Sequence, residues 1–178
     1  MATRFSVVSA FVGFVSAWLS FAAAPSAAEI QRVALTVPKA DTVLVTKSKR
    51  RLELLRGGQA IKSYFVALGR NPVGHKTREG DGRTPEGTYV LDWRNPNSRF
   101  YRSIHVSYPG PADLRRARQK GVSPGGAIMI HGLPNDEPDI GWAHALRDWT
   151  EGCIAVTNAQ MDEIWQLVDD GTPIVILP

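Results

Sequence analysis

The chain has 178 residues, a formal net charge of +4 and 43% hydrophobic residues. That length fits one domain with enough apolar material for a real core. One cysteine excludes an internal disulfide framework, and no dense Lys/Arg block interleaved with aromatics supports nucleic-acid binding. Arg4 is the only charge before Glu29, Phe5 to Phe21 is apolar and small, and Ala-Ala-Ala-Pro-Ser-Ala-Ala follows. This is the three-part pattern of a secretory signal peptide, with Ser26 and Ala28 flanking a cut before Glu29. We expect residues 1–28 to be the signal and 29–178 the mature domain, the alternative being an uncleaved anchor.

Arg32 to Val37 and the β-branched Thr42 to Thr46 read as strands, with Lys47 to Arg50 as a solvated turn. Arg51 to Leu55 and Ala60 to Leu68 continue a meander of hairpins across the turn Gly57-Gly58. Gly69 to Gly87 carries glycines, prolines and charges with no periodic apolar face, so it reads as a long ordered loop that walls a cleft. Its His75 is expected to be solvated. Thr88 to Asp92 and Ser103 to Tyr108 are the next strands, separated by a turn at Asn95 to Ser98. Ala112 to Lys120 predicts a short polar helix and Ala127 to Ile130 a brief strand. Pro134 to Asp139 reads as an acidic, solvated loop. Gly141 to Trp149 reads as a helical segment with Trp142, Leu146 and Trp149 at helical spacing. Asn158 is placed as the N-cap of a helix over Gln160 to Val168, whose Met161, Ile164, Trp165 and Val168 make a buried stripe. Ile174 to Leu177 is a terminal strand. These elements describe a mainly β domain with a few helices.

Two residues in this order carry chemistry. His131 ends an apolar run and precedes Gly132; Cys153 stands in the turn Thr150-Glu151-Gly152-Cys153. A thiol and an imidazole distant in sequence can be neighbours in the fold, as a cysteine nucleophile requires. Amides at Gly152 and Cys153 can face a tetrahedral oxygen. The four histidines lack a metal-ligand pattern, so no metal and no cofactor are expected. His105 alternates with apolar Ile104 and Val106 and can face the cleft; His144 can belong to a lid, and Trp142 and Trp149 can stack against a sugar, with core packing as their default reading.

Taken together, His131-Gly132, then Thr150, Gly152, Cys153, Ile154, Val156 and Asn158 resemble the L,D-transpeptidase catalytic domain (YkuD-type) family. The stretch LGRNPVGHKTREGDGRTPEGTYVL from Leu68 and the strand Ile104 to Pro109 extend the likeness over roughly Thr42 to Pro178. The resemblance implies a β-sandwich with short helices packed around a catalytic cleft. It implies Cys153 as nucleophile, His131 as general base, the Gly132 carbonyl as the group orienting the imidazole, and Gly152 as oxyanion support. His105, Tyr108, Trp142, His144, Thr150 and Asn158 are candidate substrate-binding positions. The implied partners are peptidoglycan stem peptides, met by an exported monomer in the periplasm or cell envelope. There the thiolate attacks the carbonyl of the third stem residue, meso-diaminopimelate in many bacteria, and releases terminal D-alanine. The acyl group then passes to an amine, forming a crosslink, or to water. Two positions depart from the pattern: Glu151 replaces a histidine and Ala155 an arginine. A carboxylate beside Cys153 raises the thiol pKa unless it pairs with a cation. A hydrolytic relative, acting as L,D-carboxypeptidase or cutting a peptidoglycan-protein linkage, and a non-catalytic cell-wall binding module stay open.

Overall fold

The computed structural model describes residues 38–178. The expected signal peptide and the strand at Arg32 to Val37 lie outside the described residues. Eight strands form one continuous hydrogen-bonded ladder in the order β3-β2-β1-β8-β4-β5-β6-β7. They are β1 (Thr42–Thr46), β2 (Arg51–Arg56), β3 (Gln59–Phe65), β4 (Gly87–Ser98), β5 (Tyr101–Val106), β6 (Met129–His131), β7 (Ile154–Ala155) and β8 (Thr172–Leu177). Among the described residues, two α-helices, α1 (Pro111–Gln119) and α2 (Asn158–Leu167), a 3₁₀ turn (Lys47–Lys49) and a kinked 3₁₀ segment (Pro138–Leu146) accompany the strands.

The hairpin β1–β2 follows period-two patterning: Val43, Val45, Leu52 and Leu54 are buried while the intervening Leu44 and Glu53 are only partly so. β8 runs parallel to β1 on one side and antiparallel to β4 on the other, placing Ile174 and Ile176 in the core. Beyond β3 the chain continues to Ala67, which exchanges backbone hydrogen bonds of 3.0 and 2.9 Å with Ala155 of β7. That bridge joins the two ends of the strand order and folds the ladder into a β-sandwich. One apolar cluster fills it, including Leu91, Ile104, Ile130, Ile154 and, from α2, Met161, Ile164 and Val168. Trp165 packs against that cluster only in part.

Several local expectations shift. The residues at Asn95 to Ser98 stay in β4, because Ser98 still pairs with Tyr101; the turn is Arg99-Phe100. The left-handed Tyr101 (φ +64°) completes it. Thr157, not Asn158, caps α2: its hydroxyl accepts the Gln160 N–H at 3.2 Å, and Gln160 returns a bond to the Thr157 N–H at 3.0 Å. Pro138 and Asp139 join the 3₁₀ segment, and its Trp142 and Leu146 are exposed rather than packed.

The basic turn after β1 is not a solvated face. Lys47 is buried, and its ammonium donates to the carbonyls of Gly74 and Thr84 at 2.7 and 3.0 Å and to Glu86 at 2.8 Å. Arg50 pairs with Asp148, which also accepts the Leu68 N–H at 3.0 Å. These bonds order the Gly69–Gly87 loop. Inside it, Asp81 gathers the N–H groups of Thr77, Arg78 and Arg83 and the Lys76 ammonium. Burial alone would raise the Asp81 pKa, but those four donors outweigh it and hold it at about 2. His75 is likewise no solvated loop residue: its Nδ1 accepts the Glu86 N–H at 3.0 Å and its Nε2 meets Asp113 of α1 at 3.0 Å. The long loop is a wall because His75, Lys76, Asp81 and Glu86 reach fixed partners, while Arg78 and Glu79 stay exposed.

Candidate active site

β6 and β7 are parallel, with Ile130 opposite Ile154 and His131 opposite Ala155. Both isoleucines face the core, so the alternate positions His131 and Cys153 share the other face of adjacent strands. They line one cavity of about 470 Å³, together with Arg99, Phe100, Ser103, Ala127, Met129, Trp149, Thr150 and Glu151. A second cavity of about 270 Å³, lined by Lys76, Glu79 and Gly125 among others, shares Ala127, Glu151 and Cys153 with the first. The thiol therefore stands where two cavities meet.

The imidazole is fixed in tautomer and in tilt. His131 Nδ1–H donates to the Gly132 carbonyl at 2.7 Å, which leaves Nε2 as the lone-pair nitrogen. Phe100 packs at 4.6 Å and Trp149 at 5.8 Å between ring centroids. Burial drives the His131 pKa down to about 4; the Gly132 carbonyl raises it and the nearby His144 lowers it. At neutral pH the ring is uncharged. Gly132 is needed because a Cβ there would lie 2.6 Å from Asn158 Oδ1 and 2.9 Å from Tyr101 Cβ. Asn158 Oδ1 accepts the Leu133 N–H at 2.8 Å, and so holds the same peptide plane whose oxygen orients His131.

The thiol sits on a built turn. Thr150 Oγ1 accepts the Gly152 N–H at 3.1 Å and donates to the Cys153 carbonyl at 2.8 Å. Gly152 has φ +130°, and a Cβ there would meet the Arg83 carbonyl oxygen at 2.5 Å. No side chain fits between this turn and the loop wall. The half-buried Cys153 donates weakly to the carbonyl of Ala127 at 3.6 Å, and Ala127 itself is held left-handed at φ +54°. Burial pushes the thiol pKa up, with a backbone hydrogen bond from Met129 and the charge of Lys76 opposing. Burial thus favours the neutral forms of both thiol and imidazole over thiolate and imidazolium.

The other sequence candidates separate. The Gly152 amide is committed to Thr150, so it is not free to face an oxyanion; the Cys153 amide takes no such partner. Glu151 pairs with Arg70, the cation that offsets a carboxylate beside a thiol. Tyr108 is buried with its hydroxyl donating to the Pro124 carbonyl at 3.1 Å, away from the cavity. His105 lies on the face that carries His131 but outside the cavity lining, bonded to Asp92 at 2.7 Å and stacked on Trp93 at 5.0 Å. Trp142 is 75% exposed and lines a separate cavity with His144. His144 is buried, and its Nδ1 has no hydrogen-bond partner among the described residues. Sequence reasoning passed over Arg99, Phe100, Ser103 and Met129. Strand alternation around His131 was the signal for Ser103 and Met129, whereas the displaced hairpin turn hid Arg99 and Phe100.

Comparison with known proteins gives the family and the fold. Residues 40–176 match the L,D-transpeptidase catalytic domain (YkuD) family. YafK of Escherichia coli (strain K12), an L,D-transpeptidase by provisional designation, is 32% identical over 133 residues, covering 71% of this chain and 46% of YafK. Among solved structures, the helical cell shape determining protein Pgp2 from Campylobacter jejuni aligns with a TM-score of 0.59 and 26% identity, over 76% of this chain and 46% of Pgp2. An L,D-transpeptidase from Mycobacterium smegmatis shares the fold, with a TM-score of 0.51 at 12% identity over 77% of this chain and 58% of that one. The chain spans about half the length of the curated relatives it matches.

Proposed function

This chain belongs to the L,D-transpeptidase catalytic domain family, and from that premise we propose that it is an exported cysteine acyltransferase of peptidoglycan stem peptides. The observation that carries the reading is the His131 Nδ1–H bond to Gly132, which leaves Nε2 basic in the cavity that Cys153 also lines. His131 Nε2 takes the thiol proton as Cys153 Sγ attacks the carbonyl carbon of the third stem residue. The Cys153 N–H faces the resulting oxyanion. The C–N bond to the terminal residue breaks, His131 returns the proton to the leaving amine, and a thioester remains on Cys153.

The acceptor is an amine entering through the second cavity. Glu79 lines that cavity, takes part in no ion pair among the described residues, and suits an incoming ammonium group. His131 removes a proton from the acceptor nitrogen, the amide forms, and the thiol is regenerated. Water in the same position gives the hydrolytic product. The signal-like apolar N-terminal sequence supports a reaction in the cell envelope.

The test is direct. Purified protein incubated with a tetrapeptide stem should gain the mass of the acyl group, and Cys153→Ala should not. Crosslinked dimers identify amine as acceptor; trimmed tripeptide alone identifies water. Turnover by the Cys153→Ala protein equal to wild type would remove the mechanism.

A further inference from the structure

The charges that line the catalytic cavity do not balance. Besides the neutral His131, its ionisable walls are Arg99, Glu151 and the thiol. Glu151 is already paired with Arg70, whereas Arg99 takes part in none of the ion pairs among the described residues. The acidic stretch Asp136 to Asp139, next in the chain to the Asn135 that bonds the Arg99 carbonyl, supplies it no ion-pair partner among the described residues. The cavity is left with one uncompensated guanidinium.

The backbone at Arg99 is held more firmly than a hairpin tip requires. The Arg99 carbonyl accepts the Asn135 N–H at 3.1 Å, and the Asn135 side chain donates to the Ser98 carbonyl at 3.1 Å and accepts the Tyr101 N–H at 2.9 Å. The next carbonyl, of Phe100, accepts the Gly132 N–H at 3.1 Å, and the Phe100 ring packs on His131. The turn is therefore stitched on both sides to the segment that follows the imidazole. The Arg99 side chain is exposed and takes part in no ion pair among the described residues. A fixed backbone lowers the entropy lost when the side chain binds, and a guanidinium engages a carboxylate through two parallel hydrogen bonds.

We propose that Arg99 is the carboxylate anchor of this cavity and selects acyl donors that carry a free carboxylate near the attacked carbonyl. The proposal rests on the reading of the cavity as the donor site of a cysteine acyltransferase. Two groups of a stem peptide offer that chemistry: the α-carboxylate of the terminal residue and the side-chain carboxylate of the third.

Wild type, Arg99→Ala and Arg99→Lys are assayed on one tetrapeptide in three forms: free acid, C-terminal amide, and side-chain amide of the third residue. Wild type should lose about 10- to 100-fold in kcat/KM on one of the amides, as expected for a lost charge-assisted pair. The amide that loses identifies the carboxylate. Arg99→Ala should lose the same factor on the free acid and treat acid and amide alike, with Arg99→Lys recovering part. Unchanged discrimination by Arg99→Ala, or none by wild type, overturns the anchor. Failure of the acyltransferase reading looks different: wild type turns over no form. Calorimetry with Cys153→Ala, with and without Arg99→Ala, then makes the same acid-against-amide comparison. Discrimination lost with Arg99 sustains the anchor without the chemistry, and equal binding of all forms overturns it.

Discussion

Asn158 and Leu133, 25 residues apart, are joined by a 2.8 Å hydrogen bond from the Leu133 N–H to the Asn158 side-chain oxygen. The same peptide unit carries the Gly132 carbonyl, which takes the His131 proton at 2.7 Å. One rigid plane thus links the first turn of α2 to the proposed base. Asn158 touches no wall of the cavity, so its part is to position His131.

Asn158→Ala should reduce kcat about 10- to 100-fold with little change in KM, because a misplaced base weakens the transition state more than substrate binding. Asn158→Asp keeps an acceptor oxygen and should recover much of the rate. The acid limb of the pH–rate profile should also move to lower pH in Asn158→Ala, since the Gly132 bond raises the His131 pKa. A KM effect alone, without movement of that limb, would make Asn158 a substrate contact.

The neutral resting forms of thiol and imidazole predict how the thiol reacts. The rate of alkylation by iodoacetamide should rise with a midpoint above that of an ordinary cysteine thiol, because burial raises the Cys153 pKa. A midpoint well below neutrality would mean a preformed thiolate–imidazolium pair.

Stability should fall in two stages on acidification. The folded His131 pKa of about 4 lies below the ordinary value of 6.5, so the unfolded chain binds the extra proton first. Stability from the neutral ring is complete above pH 6.5 and is lost as pH falls towards 4, on the order of 3 kcal/mol. Asp81, held at about 2 against 3.8, adds a second loss between those values. Denaturant titrations of wild type and His131→Gln at stepped pH should show the first stage only in wild type.

Glycines divide by what a methyl group would meet. Gly152→Ala and Gly132→Ala place a Cβ 2.5 to 2.6 Å from an oxygen, and each should cost about 1–3 kcal/mol with loss of turnover. Gly80→Ala meets nothing within 4 Å and carries only the left-handed strain of φ +72°, about 1–2 kcal/mol, with turnover retained. Thermal melts beside activity assays separate the two classes.

Lys47→Met would remove the ammonium that three acceptors of the loop wall share. We expect a loss of about 3–5 kcal/mol, the scale for breaking a buried charged network. Amide exchange should quicken most between residues 70 and 86. Uniform exchange across the chain would show that the loop is held by other contacts.

Much of this was legible in one dimension. Alternation at Thr42–Thr46 and Arg51–Arg56 specifies strands because strand side chains repeat every two residues. The spacing of Met161, Ile164 and Val168 specifies the buried face of α2. The His131-Gly132 and Thr150 to Cys153 motifs marked the candidate site, since a reactive residue beside glycine needs only local backbone freedom to be recognisable. Whether a charge points outward or inward is another matter. Lys47 and His75 read as solvated residues of a turn and a loop, and only partners brought from elsewhere in the chain make them structural. The same holds at the cavity. Parallel pairing of β6 with β7 put Cys153 and His131 on one face and in one cavity, Arg70 closed on Glu151, and the turn at Arg99-Phe100 moved a guanidinium and an aromatic ring onto the cavity wall. The sequence by itself determined which chemical groups this protein has and the local elements that carry them. Tertiary structure decided which are neutralised, which are buried and which stay free to react, because burial and pairing depend on distances between residues far apart along the chain.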